Sequence, residues 1–160
     1  MNELFWMIFG IASALIVLLL AYPGQIYIKM KINKNKIKNT LVQIRGQIEI
    51  KHDLLKEYLE INKDSIDGNI YEAVTNKLCS YNYKNEWDIE ILKDFNNYYL
   101  HQLKSFDDNL LSRHCDESET KIACIKDYYN ELVYGFNNYK SNGFNYFVAK
   151  AMSIEDEKLY

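Results

Sequence analysis

Histidine and cysteine are the residues here best suited to metal chemistry. His114-Cys115, with Cys124 and either His52 or His101, would offer the nitrogen and sulfur ligands that zinc takes. The Cys115-x8-Cys124 spacing matches no paired-ligand pattern, and neither CxxC nor HxxxH occurs. Ordinary, partly buried side chains are therefore expected at these positions, and no metal ligand or cofactor is assigned. Three cysteines (Cys79, Cys115 and Cys124) are an odd number, which fits reduced thiols better than a disulfide framework. A single bridge stays open on spacing alone.

Carboxylates come next. Asp107-Asp108 and Asp116-Glu117-Ser118-Glu119 put acids side by side. Acid–base catalysis needs two such groups converging on one pocket that pushes their pKa values apart. Successive residues on a helix diverge around its axis instead, so a solvated face or a helix start is expected. Asp116 suits the cap of a last helix, with Glu119 as its partner three residues on. No nucleophile elbow, Gly-rich phosphate loop or HExxH occurs. No catalytic residue is assigned, and a non-catalytic protein is expected.

The tyrosines are the more informative set. Tyr81, Tyr83, Tyr98, Tyr99, Tyr128, Tyr129, Tyr134, Tyr139 and Tyr146 are too many for one small core. In Tyr98-Tyr99 and Tyr128-Tyr129 one ring of each pair points to a helix stripe and the other about 100° away. Tyr98 and Tyr128 are thus candidates for an aromatic docking surface, or else lie flat over the fold with their hydroxyls in water. Asn130 and Asn137 share one helical face and are expected to bond to a facing helix and fix its register.

These residues need elements to hold them. Ile37, Leu41, Ile44, Ile48, Leu55 and Leu59 recur at helical spacing and predict a long amphipathic helix over 33–60. Asp67-Gly68 marks a turn, and Ile70, Ala73, Val74 and Leu78 suggest a short helix. Trp87, Ile91, Phe95, Tyr99, Leu103, Phe106 and Leu110 predict another, broken or bent near Asp107-Asp108. Ile122, Ile125, Tyr129, Leu132, Phe136 and Tyr139 predict the last, ending near Asn142-Gly143. No strand alternation competes.

Charge is distributed in blocks. The net charge of −3 disfavours nucleic acid as a partner. Leu4 to Ile28 carries no charge, while seven basic residues and one acid fall between Lys29 and Lys51. The 19 residues from Leu4 to Tyr22 approach the roughly 20 needed to cross a bilayer. Trp6 at one end and Tyr22 with Tyr27 at the other suit interfacial aromatic belts, and Pro23-Gly24 is expected to break the helix. A cleaved signal peptide fits poorly, since there is no basic n-region and no small-x-small cleavage pattern. The collar of Lys29, Lys31, Lys34, Lys36 and Lys38 directs the C-terminal side to the cytoplasm and attracts anionic lipid headgroups. The Leu4–Tyr22 helix is expected to be the sole membrane determinant.

Three blocks together resemble the LemA family of bacterial membrane-anchored helical proteins. Ile37–Leu59 looks like that family's signature helix, with Asn39, Gln43, Ile44, Gln47, Asp53 and Leu54 at matching positions. Glu117–Asn130 is similar to its second block through Glu119, Lys121, Ile122, Ala123, Tyr129 and Asn130. Phe136-Asn137, then Phe147-Val148-Ala149-Lys150, is similar to its second Tyr-Asn step and apolar tail. With the anchor, the likeness covers about two-thirds of the chain. Leu41 stands where the family usually has Trp, Lys56 and Phe144 where it has Pro, and Phe136 where it has Tyr. Residues 62–109 match only as generic helix.

The expected fold is therefore all-α: a single N-terminal transmembrane helix, then an antiparallel bundle of three to four long helices with coiled-coil packing. The expected divisions are an anchor over 1–28, a basic juxtamembrane segment over 29–36, a LemA-like bundle over 37–150 and a tail over 151–160. The expected role is a membrane-anchored interaction or scaffold protein with an unidentified protein partner. It would sit in the bacterial inner membrane, N-terminus outside and helical domain cytoplasmic. The alternative is an accessory or regulatory subunit of a membrane enzyme such as an envelope protease.

Overall fold

The computed structural model describes residues 2–80, 89–106 and 109–160. Among them the chain forms helices α1 (Asn2–Ile61), α2 (Gly68–Ser80), α3 (Ile89–Ser105), α4 (Asn109–Ser141) and α5 (Gly143–Ala151), and no strand. The all-helical expectation holds, and the five helices fall within the expected number but are divided differently. The apolar start and the 33–60 helix are one element, because α1 runs through Pro23-Gly24 without a break. A proline removes one i→i−4 bond, and the turns on either side carry the helix across it. The expected helix start at Trp87, the rings of Tyr81 and Tyr83, and the break or bend at Asp107-Asp108 lie outside the described residues.

Local signals account for the other boundaries. Asp67 Oδ1 accepts from the backbone N–H of Asn69 at 2.8 Å and of Ile70 at 3.4 Å, which caps α2. Asp116 does not cap a helix, contrary to expectation. It lies inside α4, which begins at Asn109, and its carboxylate pairs with Lys104 at 3.3 Å. The turn between α4 and α5 rests on Gly143, whose φ of +49° is a left-handed conformation that glycine adopts without steric cost.

The chain divides into two compact units, the first Met1–Lys38 with Leu132–Glu157, the second Asn39–Glu131 with Lys158–Tyr160. In the first unit the buried apolar side chains are Ile26, Met30 and Ile37 of α1, Val133 and Phe136 of α4, and Val148 and Ala149 of α5. By contrast, Phe5, Trp6, Ile8, Ile11, Leu15 and Leu19 are all exposed. Among the described residues α1 alone is long and apolar enough to cross a membrane, and none of its most apolar stretch is buried. In the second unit α1 contributes Leu41, Ile44, Ile48, Leu55 and Leu59 to the core. Facing side chains include Leu92, Tyr99 and Leu103 of α3 and Cys115, Ile122 and Tyr129 of α4. The stripe read along 37–59 is thus the buried face of α1.

Candidate functional site

At the centre of the second unit the apolar stripe of α1 is interrupted by a lysine. Lys51 is fully buried, forms an ion pair with Glu119 of α4, and donates a hydrogen bond to Asn96 Oδ1 of α3 at 2.8 Å. Three helices therefore meet on one ammonium group. Nearby, the Ser118 hydroxyl donates to the Gln47 carbonyl at 3.2 Å, a second polar stitch between α1 and α4. Burial pushes the Lys51 pKa down to about 8; a Cys115 thiolate would pull it up, and Lys104 adds to the lowering. Burial likewise raises the Cys115 thiol, with Lys51 and Lys104 opposing. Neither side chain is open to solvent, so neither is placed to attack a substrate. Their arrangement is a polar lock in an apolar core.

Beside the lock lies a polar cavity of about 300 Å³, walled in part by Asn96, Glu119, Lys93, Lys126 and Tyr160. The Tyr160 ring sits 5.7 Å from Lys93 Nζ and 5.9 Å from Lys126 Nζ, within reach of cation–π attraction to both. Its backbone is held by Asn130. Tyr160 N–H donates to Asn130 Oδ1 at 2.8 Å, and Asn130 Nδ2 donates to the Tyr160 carbonyl at 3.4 Å. The Tyr129 hydroxyl donates to the Lys158 carbonyl at 3.0 Å.

The first unit repeats the device. Glu157 N–H donates to Asn137 Oδ1 at 3.0 Å, and Asn137 Nδ2 donates to the Glu157 carbonyl at 2.9 Å. Lys34 pairs with the Glu157 carboxylate at 3.0 Å, and Lys140 pairs with Asp156. The expectation that Asn130 and Asn137 bond to a facing helix is therefore corrected: each grips the main chain of the non-helical segment that follows α5. A primary amide offers one donor and one acceptor side by side, matching the N–H and C=O of one extended residue. Backbone inside a helix has spent those groups on its own i→i−4 bonds.

Asn130→Ala should release Tyr160. Both bonds go at once, so the Tyr160 amide is expected to exchange with solvent about tenfold faster, corresponding to roughly 1–2 kcal/mol. Exposed Asn138→Ala is the control. Equal Tyr160 exchange rates in both variants would mean that the amide pair does not hold the segment.

The other sequence candidates disperse. His101, His114 and Cys124 are exposed while Cys115 is buried, and no group of three or more His, Cys, Asp or Glu gathers to hold a metal among the described residues. The three cysteines are free thiols. Glu117 pairs with Arg113 at 3.2 Å in a solvated i,i+4 pair, whereas Glu119 turns into the core. Tyr99 and Tyr129 are buried, Tyr128 is 52% exposed and Tyr98 is half-buried against Tyr99. The two pairs thus split as their spacing predicts, and Tyr128 is the more exposed of the two docking candidates. Lys51, counted in sequence only among the seven basic residues that follow the apolar run, is the residue that such reading misplaced. No protein-family model, curated protein or solved structure matches the chain.

Proposed function

We propose that this chain is a non-catalytic interaction protein, held in a bacterial cell membrane by the start of α1. Its helical part would be a LemA-like antiparallel bundle on the cytoplasmic side. The observation that carries the reading is the uncovered apolar stretch of α1, an 18-residue window with no buried residue. Left in water, such a surface opposes solubility; in hydrocarbon it needs no other partner. Topology follows from charge. Lys29, Lys31, Lys34, Lys36 and Lys38 flank one end of the stretch and Glu3 the other, which favours a cytoplasmic C-terminal side. A scaffold role is supported by the burial of Lys51 and Cys115 and by the pairing of Lys51 with Glu119 and Asn96, which make the second unit's polar centre structural. The family reading rests on the three sequence blocks.

Cys79 and Cys124 are exposed and Cys115 is buried, so the thiols report topology directly. A membrane-impermeant maleimide applied to intact cells should leave all three unlabelled. Permeabilisation should expose Cys79 and Cys124, and denaturation Cys115. Labelling of Cys79 or Cys124 in intact cells would place the helical part outside and end the cytoplasmic reading.

A further inference from the structure

α5 is nine residues long, and its outward arc is aromatic. Val148 and Ala149 are buried, and Asn145 is half-buried, its amide donating to the Tyr139 carbonyl at 2.9 Å. At 100° per residue the remaining arc runs from Tyr146 through Lys150, Phe147 and Ala151 to Phe144. Phe144, Tyr146 and Phe147 are 50%, 49% and 65% exposed, and Met152 just beyond is exposed as well. Scattered single apolar residues on a surface need no explanation. Three rings on one short helix do, because a contiguous patch of this kind marks a contact.

The patch is also located. The Phe144 ring lies 5.8 Å from that of Tyr22, and the two join Leu15 and Leu19 in lining an apolar recess of about 330 Å³. Tyr22 ends the 19-residue apolar run of α1 that begins at Leu4. This contact fixes the start of α5 at the level where that run ends. Lys150 is the one charged residue of α5, and Lys29 and Lys31 emerge from α1 a few residues beyond Tyr22. The acids of the following segment are partly answered within the unit, Asp156 by Lys140 and Glu157 by Lys34.

We propose that α5 is an interfacial membrane helix, pinned by Phe144 to Tyr22 and laying Phe144, Tyr146 and Phe147 into the boundary between headgroups and acyl chains. This inference rests on the reading that the start of α1 crosses a bilayer. Aromatic rings with a polar edge favour that boundary, and Lys150 has an alkyl stem long enough to reach the headgroups. The basic neighbours suit an anionic leaflet. The chain then has two membrane determinants where its sequence predicts one.

Single-tryptophan versions of the full chain in lipid nanodiscs test this. Trp87→Phe retains Trp6 in the apolar run as the reporter for the anchor. Trp6→Phe with Trp87→Phe and Phe147→Trp reports α5, and the same background with Tyr134→Trp reports an exposed site of α4. Lipids brominated near the headgroup end of the acyl chain should quench the residue-147 reporter by about half or more, with blue-shifted emission, and spare the residue-134 reporter. Quenching of Trp6 with none at residue 147 would overturn the inference and leave the anchor intact. Blue-shifted but unquenched emission at residue 147 would mean that protein, such as a second copy, covers the patch, and would also overturn it. Equal quenching at 134 and 147 would deny α5 any special place. No quenching of Trp6 would remove the anchor reading, and the inference with it.

Discussion

Glu119→Ala should destabilise the second unit by about 3 kcal/mol at pH 7, a large share of a domain's stability. The variant leaves the buried Lys51 ammonium with Asn96 as its remaining partner from the lock, and an uncompensated buried charge is among the few single-residue changes that cost this much. Glu119 keeps some solvent access, its side chain being 30% exposed, which holds the figure below the upper end for buried pairs. Adding Lys51→Met should recover most of the loss, because a methionine of similar length fills the space without a charge. Chemical denaturation of the detergent-solubilised chain, followed by far-ultraviolet circular dichroism, gives the midpoints. A Glu119→Ala midpoint equal to that of the parent would mean that water, not Glu119, satisfies the lysine.

The same lock sets a pH dependence of known sign. Lys51 titrates at about 8 in the folded chain against an ordinary 10.5, with burial as the main cause. Between those values the unfolded chain holds the proton and the folded chain does not, so this group's contribution to stability rises with pH across the window. It is fully present above about 10.5 and lost as pH falls through about 8. Removing Glu119 removes an attraction that favours the charged form, so in Glu119→Ala the proton leaves at still lower pH. The gap between variant and parent should therefore narrow from pH 7 to pH 9.5. A gap that stays constant over this range would show that Lys51 does not titrate there.

Much of this was written in the sequence, in a form that residue type concealed. The spacing Ile44, Ile48, Lys51, Leu55, Leu59 keeps a helical stripe, and Lys51 occupies its centre. Read by charge, the lysine joins the basic segment that follows the apolar run; read by register, it belongs to the core. Asn96 stands in the same relation to Leu92, Tyr99 and Leu103. The periodicity therefore carried the polar lock as well as the apolar core, and the habit of leaving charged residues out of a stripe hid it. The asparagine grips were half legible. Their helical face was plain, but their partner is a non-helical segment with no periodicity of its own, so nothing in sequence marked Glu157 and Tyr160 as the residues held. The continuity of α1 through Pro23 was misread for a different reason. Proline's local preference for a break is real, and here it is outweighed by helix on both sides.

Register also decides between two neighbouring substitutions on α4. Sequence periodicity through Ile122, Ile125, Tyr129, Leu132, Phe136 and Tyr139 makes Leu132 a core residue. In the structure Ile125, Leu132 and Tyr139 are half-buried, while Val133 is wholly enclosed in the first unit. Lys140, absent from that stripe, follows Val133 and Phe136 on one buried face. Its ammonium pairs with Asp156 and donates to the Ile154 carbonyl at 3.4 Å. Val133→Asp should therefore cost the first unit about 4 kcal/mol, since a carboxylate at that fully enclosed position loses its water. Leu132→Asp, able to turn its carboxylate to solvent, should cost about 1 kcal/mol. Amide exchange measured across α4 and α5 would separate them, with protection of the α5 amides collapsing in Val133→Asp and persisting in Leu132→Asp. If Leu132→Asp were the more damaging, the buried face of this part of α4 would be the one that Leu132 occupies, and the first unit's core would need to be redrawn by one position.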